Sequence, residues 1–587
     1  MFKLFKSLKK KDFIFVFAII FLILLQVGLE LKMPDYMSKI TQLVETDGSQ
    51  MKDILTEGAY MLSCALGSLI LTVAIGYFSS RVSATLSKNI RKRLFTKVQE
   101  FNMEEMKKFS VSSLITRTTN DITHVQMFIS MGLQLLVRSP IMAVWAIIKI
   151  LNKGTEWSIA TGIAVFVLLA VVITLMIIVL PNFKKVQKYI DDVNNVTREN
   201  LKGIRVVRAF NAEDYEKEKF ESKNHALTKI QMFNQKMMSI MGPTMNLVMH
   251  SLTLSVYIIG VILIEKALPN VRIEIFSNMI VFSSYSMQVI MSFIMLTMIF
   301  AMYPRANVSA KRINEVLDTE ASIKNGESKF KSHNKDSIEF KSVSFKYPDG
   351  QDYCLKNISF TAESGTTTAI IGSTGSGKTT LVNLIPRFYD ITSGSLLING
   401  KEVQDYDRES LYNNIGYVPQ KAVLFSGSVY ENITYGNNGL KNPNLEEVKS
   451  AAEIAQAKEF IEKMPEKYDS HISQGGTNLS GGQKQRVSIA RAIARKPRIF
   501  IFDDAFSALD YKTDRKLRTE LKKNMKDTIN IIVATRIGTI MDADQIIVLN
   551  DGECVGIGTH SELMKKCKVY QEIAYSQLSK EELENAR

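Results

Sequence analysis

The chain is poor in cysteine, with only Cys64, Cys354, Cys554 and Cys567 in 587 residues, and these four are scattered without a metal-like spacing. That excludes a disulfide scaffold and reads as free thiols of a reducing compartment. No small-residue cleavage site follows the first apolar run, so the opening "MFKLFKSLKKKDF" is not a signal peptide. It reads instead as a basic amphipathic lead-in on the inner leaflet, with Phe2, Leu4, Phe5 and Leu8 turned to lipid; a frayed terminus is the plain alternative. The apolar runs also lack an acidic cluster of the kind a proton-coupled carrier uses.

What the chain does have is length and long hydrophobic runs. At 587 residues it exceeds one ordinary core, so two or more domains are expected. Hydrophobic residues make up 46% and charged residues 22%, which joins a membrane part to a soluble part. A net charge of +14 suits nucleic acid or an anionic membrane surface. The apolar runs decide for the bilayer, and no nucleic-acid partner is expected. A helical span needs about 20 residues, and six runs qualify, near 13–31, 58–78, 131–150, 157–180, 240–264 and 276–302.

Orientation follows from Lys and Arg. Segments 80–130 and 181–238 are long, polar and basic, whereas the connection 33–57 carries Asp35, Glu45, Asp47, Asp53 and Glu57 against Lys39 and Lys52. The positive-inside rule makes the long segments and both termini cytoplasmic, with the span helices continuing into the cytosol. Arg138 and Lys149, near the ends of the third span, are placed to snorkel.

Residues 318–340 are polar and lack apolar periodicity, as a linker does. From about 337 short β-type runs alternate with helical stretches, the pattern of an α/β domain. The expected division is a membrane domain over 1–317, a linker over 318–336 and a soluble α/β domain over 337–587.

In the soluble part "GSTGSGKTT", residues 372–380, fits the phosphate-loop pattern through Gly372, Gly377, Lys378 and Thr379. Ser373, Thr374, Gly375, Ser376 and Thr380 complete the loop. Its backbone N–H groups curl around phosphate oxygens, Lys378 reaches the terminal phosphates of ATP and Thr379 can ligate Mg²⁺. A dinucleotide fingerprint needs no lysine there. The buried run "RIFIF" then delivers Asp503 to a sheet edge, where it can hold the Mg²⁺ water shell.

The stretch "NLSGGQKQRVSIARA", residues 478–492, resembles the signature of the ATP-binding cassette transporter family in Leu479, Ser480, Gly481, Gly482 and Gln483. In that family the motif caps nucleotide bound to the opposite cassette. The resemblance spans essentially the whole chain. It implies that Tyr347 stacks on adenine rather than being a plain turn tyrosine. It implies too that Gln420 contacts Mg²⁺ and that Ser507, Ala508, Leu509 and Asp510 form the loop between the cassettes. "SSLITRTTNDI" (112–122) and "RENLKGIRVVRAFNAEDYE" (198–216) resemble the loops that press short helices against the cassettes. The implied architecture is a six-helix exporter-type membrane domain followed by a P-loop cassette, in one chain a half-transporter that needs a second half.

Two residues depart from the family. Its water-orienting glutamate is Asp504 here, shorter by one methylene, and its γ-phosphate histidine is Thr535, which cannot be a cation. Misplacing a catalytic group by about 1 Å costs on the order of a hundredfold. The expectation is a site that binds ATP and turns over slowly, paired with a partner chain carrying the missing Glu and His. Cargo is expected to be hydrophobic or amphipathic, with lipid or peptide next and an ATP-gated channel or regulator as the rival. No peptidase domain precedes the first span, against a cargo-processing peptide exporter. Met287, Met291, Met295, Met298 and Met302 recur on one face of the sixth span, where they line a cavity or serve as packing or lipid-facing surface.

Overall fold

The computed structural model describes residues 2–46, 48–151, 155–333 and 335–578; Asp47 of the acidic connection lies outside them. The chain forms two compact units, one of 1–99 and 111–319, the other of 100–110 and 320–587.

Among the described residues of the first unit six helices are long and apolar enough to cross a membrane: Lys10–Glu45, Met51–Gln99, Val111–Leu151, Thr155–Val179, Glu213–Lys266 and Val271–Asp318. Most extend well beyond their apolar cores, because the polar segments between them remain helical. Pro181 at the head of the second basic segment does not end its helix, which runs from Thr155 to Ala209. The first basic segment does break. Asn102 and Glu105 form a reciprocal capping box that starts a new short helix, Met103–Lys108, and this stretch groups with the second unit rather than with the spans.

Two expectations for the membrane part change. Leu4 and Leu8 do not face lipid but are buried, 1% and 8% exposed. Their segment is tied down by Asn89 Nδ2 to Ser7 O at 2.9 Å, Arg93 Nη1 to Ser7 Oγ at 2.7 Å, and Lys3 to Asp318 at 2.8 Å. Arg138 and Lys149 do not snorkel; each pairs with an acid of the first span. Arg138 Nη2 meets both oxygens of Glu30 at 3.0 and 2.9 Å, and Lys149 Nζ meets Asp35 Oδ2 at 2.7 Å. A charge at an apolar helix face is costly, and an opposite charge on the facing helix offsets that cost locally.

The second unit is built on a six-stranded sheet in the order Glu553–Gly558, Gln545–Asn550, Thr367–Gly372, Ile529–Val533, Ile499–Asp503, Ile415–Val418. The inner pairings are parallel, and Ile499–Asp503 is buried at every position, as a strand covered on both faces must be. Asp551-Gly552 turns the antiparallel hairpin of the last two strands with φ of +47° and +81°. A four-stranded antiparallel sheet, led by Ser337–Phe345 and Leu355–Glu363, packs its apolar face into the same core. The polar stretch read as a linker is strapped to this unit: Ser328 N bonds Asp405 O at 2.9 Å, Phe330 N bonds Ser410 Oγ at 2.7 Å and Ser322 N bonds Glu105 Oε1 at 2.7 Å. Its polar composition reflects hydrogen bonding to its neighbours rather than freedom.

Phe502 is 1% exposed, and its ring stacks on Phe500 and contacts Phe506. Phe502→Ala is expected to remove about 3–5 kcal/mol of packing. The full-length protein should then melt several degrees lower in a calorimetric scan; an unchanged melt would place this ring outside the stabilising core.

Candidate functional site

Three parallel strands end at one level. Val533 lies opposite Asp503 on one side and Ile370 on the other, so the loops leaving Thr367–Gly372, Ile499–Asp503 and Ile529–Val533 emerge together. Open parallel sheets bind ligands at such carboxyl ends.

The phosphate loop turns at Gly375 and Gly377, with φ of +88° and +95°; a Cβ on Gly377 would meet Leu355 Cδ2 at 2.7 Å. Both positions suit glycine alone. Lys378 Nζ folds back onto its own loop, donating to Gly372 O at 2.9 Å and Ser373 O at 2.6 Å, with Ser376 Oγ at 3.4 Å. Burial holds its ammonium below the usual lysine range, while Asp504 and Asp503 pull the other way. These donors already sit on a ring of oxygens, the arrangement a phosphate would take over.

Thr379 Oγ1 donates to Asp503 Oδ1 at 2.8 Å. Tyr417 OH approaches Asp503 Oδ2 at 3.4 Å and donates to Asn383 Oδ1 at 3.0 Å. Burial pushes the Asp503 carboxyl above the ordinary carboxylate range, against the Thr379 and Tyr417 hydrogen bonds. Hard oxygen donors of this kind fit Mg²⁺, whose charge would favour the ionised carboxylate.

Asp504 is the meeting point of the site. Its Oδ1 accepts from Thr535 Oγ1 and its Oδ2 from Gln420 Nε2, both at 3.3 Å. Its backbone sits at φ +49°, the left-handed region that aspartate tolerates better than most side chains. Asp504 and Thr535, the two positions expected to set this site apart, are therefore joined by one hydrogen bond.

Tyr347 bonds Thr380 Oγ1 through its hydroxyl at 3.0 Å and meets Tyr389 edge-on. Lys107 Nζ lies 4.2 Å from the Tyr347 ring centroid and 5.8 Å from that of Tyr389. Sequence reasoning missed Tyr389 and Lys107. Tyr389 sits just beyond the phosphate-loop helix and was findable there; Lys107, 240 positions before Tyr347, had no local signal.

The signature residues stand apart from this cluster. Ser480 caps the helix Gly481–Ala494 in a reciprocal box with Gln483, Ser480 N to Gln483 Oε1 at 2.9 Å and Gln483 N to Ser480 Oγ at 3.3 Å. Among the described residues none of these bonds reaches the phosphate loop. A Cβ on Gly481 would meet nothing within 4 Å, whereas one on Gly482 would approach Ala508 O at 3.1 Å. The helix start is thus open on the Gly481 side.

Within the membrane unit, Met287, Met291 and Met295 line a cavity of about 380 Å³ together with Met33 and Met142. Met298 is 52% exposed and is not among the lining residues. The stripe is split between cavity and surface.

A phosphate loop, a strand-end carboxylate and a separate signature helix on a chain with six apolar span helices define a membrane transport ATPase. Family models described as ABC transporter and ABC transporter transmembrane region match residues 355–507 and 16–302. The uncharacterized ABC transporter ATP-binding protein YfiB of Bacillus subtilis is 36% identical over 567 residues, covering 95% of this chain and 96% of its own. An ATP-dependent lipid A-core flippase of Photobacterium profundum is 31% identical over 531 residues, covering 89% and 88%. The solved structure of a bacterial Atm1-family ABC exporter with ATP bound shares the fold at a TM-score of 0.82 and 23% identity, covering 96% of this chain and 99% of that one. The chain belongs to the ABC transporter family, with one membrane domain and one cassette, and its class of work is ATP-driven transport.

Groups that hold a metal-binding carboxylate in place are typically worth about 10–100-fold in metal affinity. Tyr417→Phe is therefore expected to raise the Mg²⁺ concentration for half-maximal retention of a fluorescent ATP analogue about tenfold. A magnesium titration with no shift would remove Tyr417 from the site.

Proposed function

We propose that this chain is one half of a heterodimeric exporter of hydrophobic or amphipathic compounds, and that its own phosphate loop serves the slow site of the pair. The observation that carries the reading is the bond from Thr535 to Asp504: both substitutions act on the group that would orient the attacking water. Lys378 and the loop 372–380 hold the phosphates of ATP, Tyr347 receives adenine, and Thr379, Asp503 and Gln420 hold Mg²⁺. When bound, the metal neutralises charge on the phosphates. Asp504 positions water from a carboxylate set back by one methylene, so turnover is slow.

Each composite site takes its phosphate loop from one chain and its signature from the other. Ser480, Gly481, Gly482 and Gln483 of this chain then cap the partner's nucleotide, with Ser507, Ala508, Leu509 and Asp510 running along the junction; the open side of Gly481 supports this. The partner supplies the catalytic Glu and the switch His. The spans, residues 1–317, lie in the cell membrane with both termini and the cassette, 337–587, in the cytoplasm, joined by 318–336; the basic segments 80–130 and 181–238 support that orientation. Lipid is the second cargo reading, supported by the flippase among the relatives.

Asp504→Glu with Thr535→His is expected to raise ATP hydrolysis at this chain's own site, measured in a pair whose partner glutamate is disabled. Asp504→Glu alone should gain less, since the left-handed backbone suits aspartate better. No gain from the double variant would move the impairment to the partner's signature.

Damaging the two half-sites separately should give unequal losses. Disrupting Ser480 and Gly481 is expected to bring turnover and transport of the assembled pair close to zero. Lys378→Ala should lower them only partly while weakening ATP affinity at the competent site, because the sites share one interface and their coupling is reciprocal. Equal damage, or brisk hydrolysis by this chain as a homodimer, would show Asp504 to be a working catalytic group.

A further inference from the structure

The cavity of about 380 Å³ lies among four spans, and its apolar wall is Ala65 and five thioethers, Met33, Met142, Met287, Met291 and Met295. Such a wall adapts to varied apolar bodies. The volume falls at the lower end of small-molecule pockets, about 300–1,000 Å³, so it suits a compact amphipath rather than a lipid with several chains.

Its charged part is the Glu30–Arg138 pair, and the two sides of that pair are unequally engaged. Glu30 Oε1 already accepts from Gln26 Nε2 at 2.9 Å, Ser68 Oγ at 3.1 Å and Arg138 Nη2 at 3.0 Å, and Oε2 accepts from Arg138 Nη2 at 2.9 Å. Four bonds converge on the carboxylate, three of them on Oε1, and its charge is already matched by Arg138. Arg138 uses only Nη2; its Nε and Nη1 make no hydrogen bond among the described residues, and its side chain remains 29% exposed while lining the cavity. A guanidinium carries five donors in a fixed fork, so one edge of the fork is free. The unused hydrogen-bonding capacity of the charged pair is therefore chiefly donor, next to a positive charge.

We infer that this cavity is a cargo subsite for amphipaths with an apolar body and an acceptor-rich head, carboxylate or similar, that docks on the free edge of Arg138. Lipophilic cations are disfavoured, because the carboxylate that would attract them is already paired with Arg138 and the side of the pair with free donors is cationic. The assignment rests on the exporter reading and narrows it from hydrophobic compounds in general to acid-headed or neutral acceptor-headed ones.

The test uses the full-length chain with its partner in nanodiscs, titrated with dansylaminoundecanoic acid and with the trimethylammonium probe of the same chain length, against empty nanodiscs. The carboxylate is expected to bind about tenfold tighter or more, the scale of a charge-assisted hydrogen bond. Arg138→Gln should abolish that preference. Arg138→Lys keeps a cation for Glu30, so the buried acid is not orphaned, yet removes the free fork; it too should weaken the carboxylate about tenfold and decides the matter if the Gln variant fails to assemble. Met291→Trp should exclude both probes. Equal binding of the two probes, or carboxylate affinity unmoved by Arg138→Lys, overturns the site. ATP-driven uptake into inverted vesicles separates the two readings. Arg138-dependent binding without uptake keeps the subsite and removes the export function, whereas uptake of lipophilic cations indifferent to Arg138 keeps export and removes the subsite.

Discussion

The nucleotide site depends on the register of three parallel strands. With Val533 hydrogen-bonded between the strands of Ile370 and Asp503, the chain ends of all three emerge at one edge. Asp504 N then donates to Val533 O at 3.0 Å, and Ala534 N to Ile370 O at 3.1 Å. These bonds bring Thr535 beside Asp504, and Gln577 Nε2 donates to the Thr535 carbonyl at 2.8 Å. Because side chains alternate along a strand, a slip of one residue would turn Asp503 to the opposite face and dismantle the contacts of Thr379 and Tyr417 with it.

The membrane unit meets a different constraint. Charged groups at span level must be paired or turned toward a cavity. The first span carries two acids near the close of its apolar run, Glu30 and Asp35, and the third span answers with Arg138 and Lys149. Asp35 also accepts from Tyr285 OH at 2.7 Å, which links the last span to the same group. These polar ties run between helices where apolar contact alone gives little specificity. One of them, Glu30–Arg138, is left unevenly engaged, and the cavity opens there.

Asymmetry is the theme shared by the two units. In the cassette the Asp504 carboxylate accepts from both Thr535 and Gln420, while the signature helix is capped by Ser480 and Gln483 and open on its Gly481 side. On the proposed reading, the half-site built on this chain's phosphate loop is the slow one and the half-site built on its signature is the sound one, which suits a partner that carries the missing Glu and His. On that reading a change at Asp504 acts on this chain's own site and a change at Ser480 on the partner's nucleotide, so the two roles are separable.

The sequence alone determined what depends on short range. A run of apolar residues long enough to span lipid, nine residues of phosphate loop, and a Ser-Gly-Gly cap each carry their physics in consecutive positions, so the spans, the loop and the signature were legible by reading. Asp504 and Thr535 were legible as departures from the family pattern, but their contact was not, since it needs two strands brought side by side. The tertiary structure decided the pairing of Arg138 with Glu30, the burial of Leu4 and Leu8, the strapping of the polar stretch after Thr319, and which methionines face a cavity. Each of these is a contact between residues far apart in the chain, and hydrophobic periodicity specifies which face of a helix is apolar without specifying what lies against it.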